Sequence, residues 1–413
     1  MSSPVWHPFT QHGLKEPIGL VERAEGAVYY TSDGRRIVDA ISSWWVTTHG
    51  HRHPRIMAAI AEQTAKLDQI IFAGWTHEPA ERLARELLEL MPAGLDHVFY
   101  SDSGSTSVEV ALKMALGCWR NRGEARHRIV VLEGSYHGDT IGGMSVGARG
   151  VFNQAYAPLL FDVDVLPFPE RGREQETIDA LEKLCRRVSP AALIVEPLIL
   201  GAGGMRIYSA QTLLELRRVC SSYDVLFIAD EVMTGWGRTG TLLACEQAGI
   251  EPDLLCLSKG LTGGAMPLAV TLTTSAIYDA HCSSDRSRMF FHSSSYTANP
   301  IACAAALGNL AVWREEPVAA RIEDLALRQE QQLKRLGRAR NLRQLGTITA
   351  CEIGDGEANY LSNRAPELLA FFRSHDILLR PLGNTIYVMP PYCIEDSDLE
   401  LVYQSIEDSL EHF

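Results

Sequence analysis

No apolar run in the 413-residue chain approaches the roughly 20 residues that a helix needs to cross a bilayer, so a membrane-spanning protein is not expected. The nine cysteines show no CxxC spacing, and several, such as Cys118, Cys256 and Cys303, sit inside apolar runs. That speaks against a disulfide scaffold and against a cysteine-based metal site. Basic residues are the minority: 38 Lys and Arg stand against 51 Asp and Glu, and the formal charge of -13 has the wrong sign for a nucleic-acid footprint while suiting a cationic substrate. Internal repeats and low-complexity stretches are missing as well. Met1-Ser-Ser-Pro-Val-Trp6 carries neither a signal nor a transit pattern, and with the cysteine usage this makes a reducing cytoplasm the expected location.

What is present is an ordinary globular composition, 46% hydrophobic and 22% charged, in a chain longer than the roughly 250–300 residues at which a single core stops growing. Two domains are expected. Residues 1–54 read as an N-terminal segment that packs with the smaller domain, with a hairpin over 26–39 turned at Asp33-Gly34. In the same segment the adjacent Trp44 and Trp45 point to opposite sides, one inward and one free to line a pocket, unless both are core. His49, His51 and His53 would share one face of an extended strand, as metal ligands do, but Gly50 and Pro54 break the segment and no acid or cysteine completes a set. Residues 55–300 alternate strand and helix, with strands at 98–101, 129–132, 193–195, 225–229, 254–257 and 268–272. Residues 301–413 open with a long helical run to about 336, pass through strands near 348–353 and 386–389, and close on an amphipathic helix over 396–411. The expected fold class is therefore α/β: a mostly parallel sheet in a large domain, plus a smaller α+β domain.

The chemistry gathers at strand ends. Lys259 follows the short apolar run 254–257, which ends abruptly in small residues. A lysine delivered by a buried strand must be paired, deprotonated or covalently used, unless it simply snorkels to the surface. The preceding apolar run ends in Asp230 and Glu231, and in a doubly wound sheet both strand ends open on one crevice. A carboxylate and a lysine facing one ligand suit pyridoxal phosphate, whose ring nitrogen the acid holds and whose aldehyde carbon the lysine binds. Ser103-Gly104-Ser105 lies between a strand and a helix, where backbone N–H groups favour a phosphate, though a plain helix cap reads the same way. Tyr136 and Glu196 also close strands, and the tyrosine can lay a flat ring against a planar cofactor. Gly235-Trp-Gly237-Arg-Thr-Gly240 matches the dinucleotide fingerprint, but it does not follow its strand directly and opens no strong helix.

Together these stretches resemble the class III pyridoxal-phosphate aminotransferases, most specifically through Phe227-Ile-Ala-Asp230-Glu-Val-Met-Thr-Gly-Trp-Gly-Arg238-Thr-Gly240 and Pro252-Asp-Leu-Leu-Cys-Leu-Ser-Lys259-Gly260. Within that class, Trp6-His-Pro-Phe-Thr10, Ser42-Ser-Trp-Trp45, Tyr100-Ser-Asp-Ser-Gly-Ser105, Tyr136-His-Gly-Asp139, Gly201-Ala-Gly-Gly-Met205, Tyr296-Thr-Ala-Asn-Pro300 and Arg380-Pro-Leu-Gly383 are similar to the members that aminate 8-amino-7-oxononanoate in biotin biosynthesis, with S-adenosylmethionine as donor. The likeness runs nearly end to end. It implies the fold type I of pyridoxal-phosphate transferases, in a homodimer whose active sites lie at the interface. By the same resemblance Lys259 binds the cofactor covalently and then shuttles the proton, Asp230 pairs with the pyridine nitrogen, and Tyr136 stacks on the ring. Gly104 and Ser105 take the phosphate, and Ser295 reaches it from the partner subunit. Trp44, Trp45 and Tyr387 line the substrate tunnel, Arg380 clamps the substrate carboxylate, and Arg238 falls at a further pocket position. The chain departs from the pattern at Phe9, where many adenosylmethionine-using members carry tyrosine and lysine-using relatives commonly carry phenylalanine. The alternatives are thus lysine as donor, another class III ω-aminotransferase, a nicotinamide-dependent oxidoreductase, or a binding protein without turnover.

Overall fold

The computed structural model describes residues 3–354 and 364–413. Its strands in chain order are β1 (Val21–Glu25), β2 (Val28–Thr31), β3 (Arg36–Asp39), β4 (His97–Ser101), β5 (Ile129–Leu132), β6 (Asp164–Leu166), β7 (Ala192–Val195), β8 (Ile199–Leu200), β9 (Arg206–Ile207), β10 (Leu226–Asp230), β11 (Leu254–Leu257), β12 (Ala269–Thr273), β13 (Arg340–Leu345), β14 (Ile348–Glu352), β15 (Ile377–Leu378) and β16 (Thr385–Val388). Seven of them form the main sheet, in the order β4-β12-β11-β10-β7-β5-β6. The pairs β11–β10, β10–β7, β7–β5 and β5–β6 are parallel, whereas β12 runs against both β11 and β4. Every residue of β5, β7, β10, β11 and β12 is buried, which is why these segments read as unbroken apolar runs rather than alternating ones. Helices cover both faces, among them Gly104–Arg122, Glu174–Arg187 and Ala210–Ser222.

Because β4, β5, β7, β10 and β11 all point the same way, the residues that follow them emerge along one edge of the sheet. Residues 103–105, 136, 196, 230 and 259 therefore converge although up to about 150 positions separate them. A second body of packing faces this edge. There β13, β14 and β16 form an antiparallel sheet, and β1-β2-β3 is extended by β15, which pairs parallel with β3. The N-terminal strands are tied to the last helix, Asp396–His412, by a bidentate ion pair of Arg36 with the buried Asp398 at 2.6 and 2.8 Å.

Several local features differ from the expectations, among them short or edge strands such as β1, β8, β9, β13 and β15. The helical run expected over 301–336 is two helices, Pro300–Glu315 and Val318–Leu333, because Pro317 has no N–H to continue the first and instead caps the second. Edge strand β6 went unread: it has three residues and a mixed burial pattern, too short for any periodicity to show.

Candidate active site

A cavity of about 690 Å³ opens where the sheet edge meets the second body. Phe9, Trp44, Trp45, Gly104, Ser105, Tyr136, Asp230, Lys259, Arg380 and Tyr387 all line it. At one end the helix Gly104–Arg122 presents its first backbone amides. Ser103 caps this helix, accepting from Thr106 N at 3.2 Å in a reciprocal capping box, so its hydroxyl is spent while the amides of residues 104 and 105 face the cavity. Glycine is required at 104: a Cβ there would fall 2.6 Å from Val232 Cγ1, and Val232 itself lines the cavity. Gly138, at φ +112, lets the 134–139 loop lie against Ser105, where a Cβ would meet the serine hydroxyl at 2.1 Å.

The charged groups are buried in a graded way. Asp230 closes β10 with 5% of its surface exposed; its Oδ2 accepts from His137 Nδ1 at 2.7 Å and its Oδ1 from Val232 N at 3.1 Å. These two contacts hold the Asp230 carboxyl group toward the cavity, which it lines. Glu196 is 4% exposed and accepts from Tyr136 N and Gly201 N, both at 2.9 Å. Burial pushes its carboxyl up to about 7, so it holds a proton readily near neutrality. Lys259 follows β11 in left-handed backbone geometry, φ 45, a strained setting for a lysine and one that turns its side chain into the cavity. Burial lowers its amine from 10.5 to about 8, with Asp230 and Glu196 opposing the shift. Its Nζ lies 4.4 Å above the ring of Trp45, whose Nε1 donates to Tyr387 Oη at 3.0 Å. Burial likewise raises the Tyr136 hydroxyl, which stays un-ionised.

At the mouth the walls are aromatic. The Arg380 guanidinium lies 5.2 Å over Trp44 and 5.8 Å over Phe9, and its hydrogen bond is a long one to Phe9 O at 3.4 Å. Phe9 packs edge-on against Trp44 and Phe152, with centroids 5.4 and 6.1 Å apart. Engaged by rings and a backbone oxygen, the cation is available to an incoming anion.

Two candidate residues do not line this chain's own cavity. Arg238 is 1% exposed and sits behind the cavity wall, where it donates to Pro390 O at 2.9 Å and Thr47 O at 3.1 Å. It ties the turn after β10 to the second body instead of facing a substrate. That same turn, residues 235–240, opens no helix and is packed on its neighbours, so the fingerprint glycines leave no space for a pyrophosphate. Ser295 is exposed on the outer surface, away from this chain's own cavity. The three histidines do not converge on one point: His51 bonds Asp39 at 2.9 Å, His53 pairs with Glu316 at 3.2 Å, and His49 packs edge-on against His53, Trp313 and Tyr392, where burial lowers its pKa to about 3. Among the described residues no cluster suits a metal. The residue that sequence reading passed over is His137. It lies beside Tyr136 in the loop after β5, and only the fold of that loop turns it toward Asp230, so no sequence signal marked it.

A half-buried lysine with its pKa lowered to about 8, a hydrogen-bonded carboxylate lining the same cavity and helix N-terminal amides fit pyridoxal 5'-phosphate, and the chain belongs to the class III aminotransferases, whose family pattern it matches over residues 10–410. Enzymes of this family use that cofactor. The chain is similar to the adenosylmethionine-8-amino-7-oxononanoate aminotransferase of Synechococcus elongatus, at 45% identity over 98% of each chain, and to that of Aquifex aeolicus, at 37% identity over 97% of this chain and 94% of the relative. Among solved structures it is similar to the adenosylmethionine-8-amino-7-oxononanoate aminotransferase of Methanocaldococcus jannaschii, with TM-score 0.94 and 32% identity over 99% of this chain and 97% of that one. An amine transaminase from an uncultivated Pseudomonas species, solved with PLP bound, superposes with TM-score 0.91 at 30% identity, covering 100% of this chain and 99% of that one.

Proposed function

We propose that the protein transfers the amino group of S-adenosylmethionine to 8-amino-7-oxononanoate, giving 7,8-diaminononanoate for biotin biosynthesis in the cytoplasm. The observation that carries this reading is one cavity holding Lys259 and Asp230 at its floor and Arg380 among aromatic rings at its mouth. Pyridoxal phosphate, when bound, supplies the electron sink that makes the amine carbon acidic. The amides of residues 104 and 105 would take its phosphate, Asp230 would hold its ring nitrogen protonated, and Tyr136 would stack on its ring. Lys259 Nζ, poised near pH 8, can both take the proton from the substrate carbon and return it. Trp45 above that amine keeps bulk water off one side. Arg380 offers a planar fork to the carboxylate of the oxononanoate, and Trp44 offers the flat surface on which an adenosyl group stacks.

Ser295 would complete the phosphate site from a second subunit. Around it Ile71, Trp75, Phe291 and Tyr296 are each more than 60% exposed, and Gln69 Nε2 donates to Ser295 O at 2.7 Å, so an apolar surface surrounds the residue that needs a partner. The test of the donor is stopped-flow absorbance of the holoenzyme with each donor alone. Adenosylmethionine should convert the visible cofactor band to the aminated form. Conversion by lysine and not by adenosylmethionine would mean that Phe9 marks a lysine-using enzyme.

A further inference from the structure

The tryptophan wall stands on a backbone that should not persist by itself. Ser42, Ser43, Trp44 and Trp45 all have positive φ, at 51°, 60°, 118° and 72°. For residues with a Cβ each such conformation is disfavoured, and a run of them survives only where surrounding contacts over-determine it. Those contacts converge on Asp39 at the end of β3, which is completely buried. Its Oδ1 accepts from Ser43 N at 2.9 Å and Ile41 N at 3.3 Å; its Oδ2 accepts from Ser43 Oγ at 2.7 Å and His51 Nε2 at 2.9 Å. The Ser43 hydroxyl also pairs with Tyr29 Oη, and the Tyr29 ring lies 4.8 Å from that of His51. On the far side Ser42 Oγ donates to Met389 O at 2.8 Å. The turn has two outputs: Trp45 covers the Lys259 amine, and Trp44 meets Arg380 and Phe9 at the mouth.

We infer that Asp39, acting through Ser43 and His51, is a positioning latch that holds the 42–45 turn in its strained form and so presets the aromatic wall for substrate. None of the three touches the cavity; they work through Trp44 and Trp45. The inference rests on the reading that these tryptophans line the substrate site. Strain kept for function has a consequence that ordinary packing lacks: relieving it should worsen binding with little loss of stability.

Ser43→Gly tests this, since glycine accepts positive φ without strain and removes the latch hydroxyl. Three measurements are made beside the wild type: steady-state amination of 8-amino-7-oxononanoate by adenosylmethionine, melting of the cofactor-free protein, and fluorine NMR of that protein labelled with 5-fluorotryptophan, with Trp44→Phe and Trp45→Phe for assignment. The melting temperature should stay close to that of the wild type, because the strain relieved at residue 43 offsets the hydroxyl's lost bonds to Asp39 and Tyr29 and the added freedom of glycine in the unfolded chain; the KM values should rise about tenfold, and kcat should stay within about threefold. The resonances of Trp44 and Trp45 should shift or broaden while those of the other five tryptophans hold. Asp39→Asn should move KM and the same two resonances in the same direction. Unchanged KM with unmoved resonances would overturn the latch, and so would a lower melting temperature with unchanged KM, which is the mark of a purely structural turn. A wild type that does not aminate 8-amino-7-oxononanoate would instead sink the functional reading, leaving the fluorine resonances to judge the latch.

Discussion

Lys259 is the residue whose environment can be read directly as thermodynamics. Burial lowers its amine from 10.5 to about 8. Between those values the unfolded chain keeps a proton there that the folded chain has shed, so the stability of the cofactor-free protein rises with pH across that window. Below pH 8 the half-buried ammonium costs on the order of 2 kcal/mol, allowing for water that reaches it through the cavity. Lys259→Met is therefore expected to be more stable than the wild-type apoprotein at pH 7 by about that amount, and the difference should vanish as pH rises to 10.5. Urea unfolding at both pH values checks this, and a difference independent of pH would show the amine to be solvated. Covalent uptake of pyridoxal phosphate should quicken with a midpoint near pH 8, whereas Lys259→Ala should bind it weakly and show no visible band that borohydride bleaches. Asp230→Asn should keep the fold and slow proton removal from the substrate by orders of magnitude, because a neutral amide no longer holds the ring nitrogen protonated. A near-normal half-reaction rate would refute that role.

At the scale of elements, the helix Gly104–Arg122 delivers its N-terminus to the cavity only because position 104 has no side chain. Gly104→Ala would force a Cβ to 2.6 Å from Val232 Cγ1 on the turn after β10, so the helix start or the valine must shift. Overpacking of this kind costs roughly 1–3 kcal/mol of stability, and because it displaces the amides proposed to take the phosphate, cofactor affinity is expected to fall about 10- to 100-fold as the melting temperature of the apoprotein drops. Equilibrium titration of the apoprotein with pyridoxal phosphate measures it, and wild-type affinity would show that the phosphate sits elsewhere. The turn after β10 carries a second burden through Arg238, whose two bonds to Thr47 O and Pro390 O join the sheet edge to the second body.

For the whole molecule the decisive question is whether one chain suffices. Ser295 lies outside its own cavity among exposed apolar side chains, and its contribution is expected in trans. Lys259→Ala and Ser295→Ala subunits, each impaired alone, should regain activity when reassociated, since one composite site then carries both defects and the other neither. Verified heterodimers without recovery would place Ser295 in its own subunit's chemistry or in none. The mixing experiment also reports on the dimer itself, because a monomeric enzyme would show no complementation at any ratio.

By itself the sequence determined the parts that depend on short-range pattern: the apolar strands, their polar terminal residues, and through parallel order the meeting of Lys259, Asp230, Tyr136 and Gly104 at one edge. Strand direction does that work locally, so motif spacing was enough. Tertiary structure decided what depends on packing between distant segments. It turned Arg238 behind the wall, gave His51 to Asp39 and His53 to Glu316, and set His137 against Asp230. The Trp44-Trp45 pair shows the division most clearly. Their presence and aromatic character were legible, but the positive-φ turn that aims them is stabilised in part by Met389 O, 347 positions from Ser42, and no local propensity selects such a conformation.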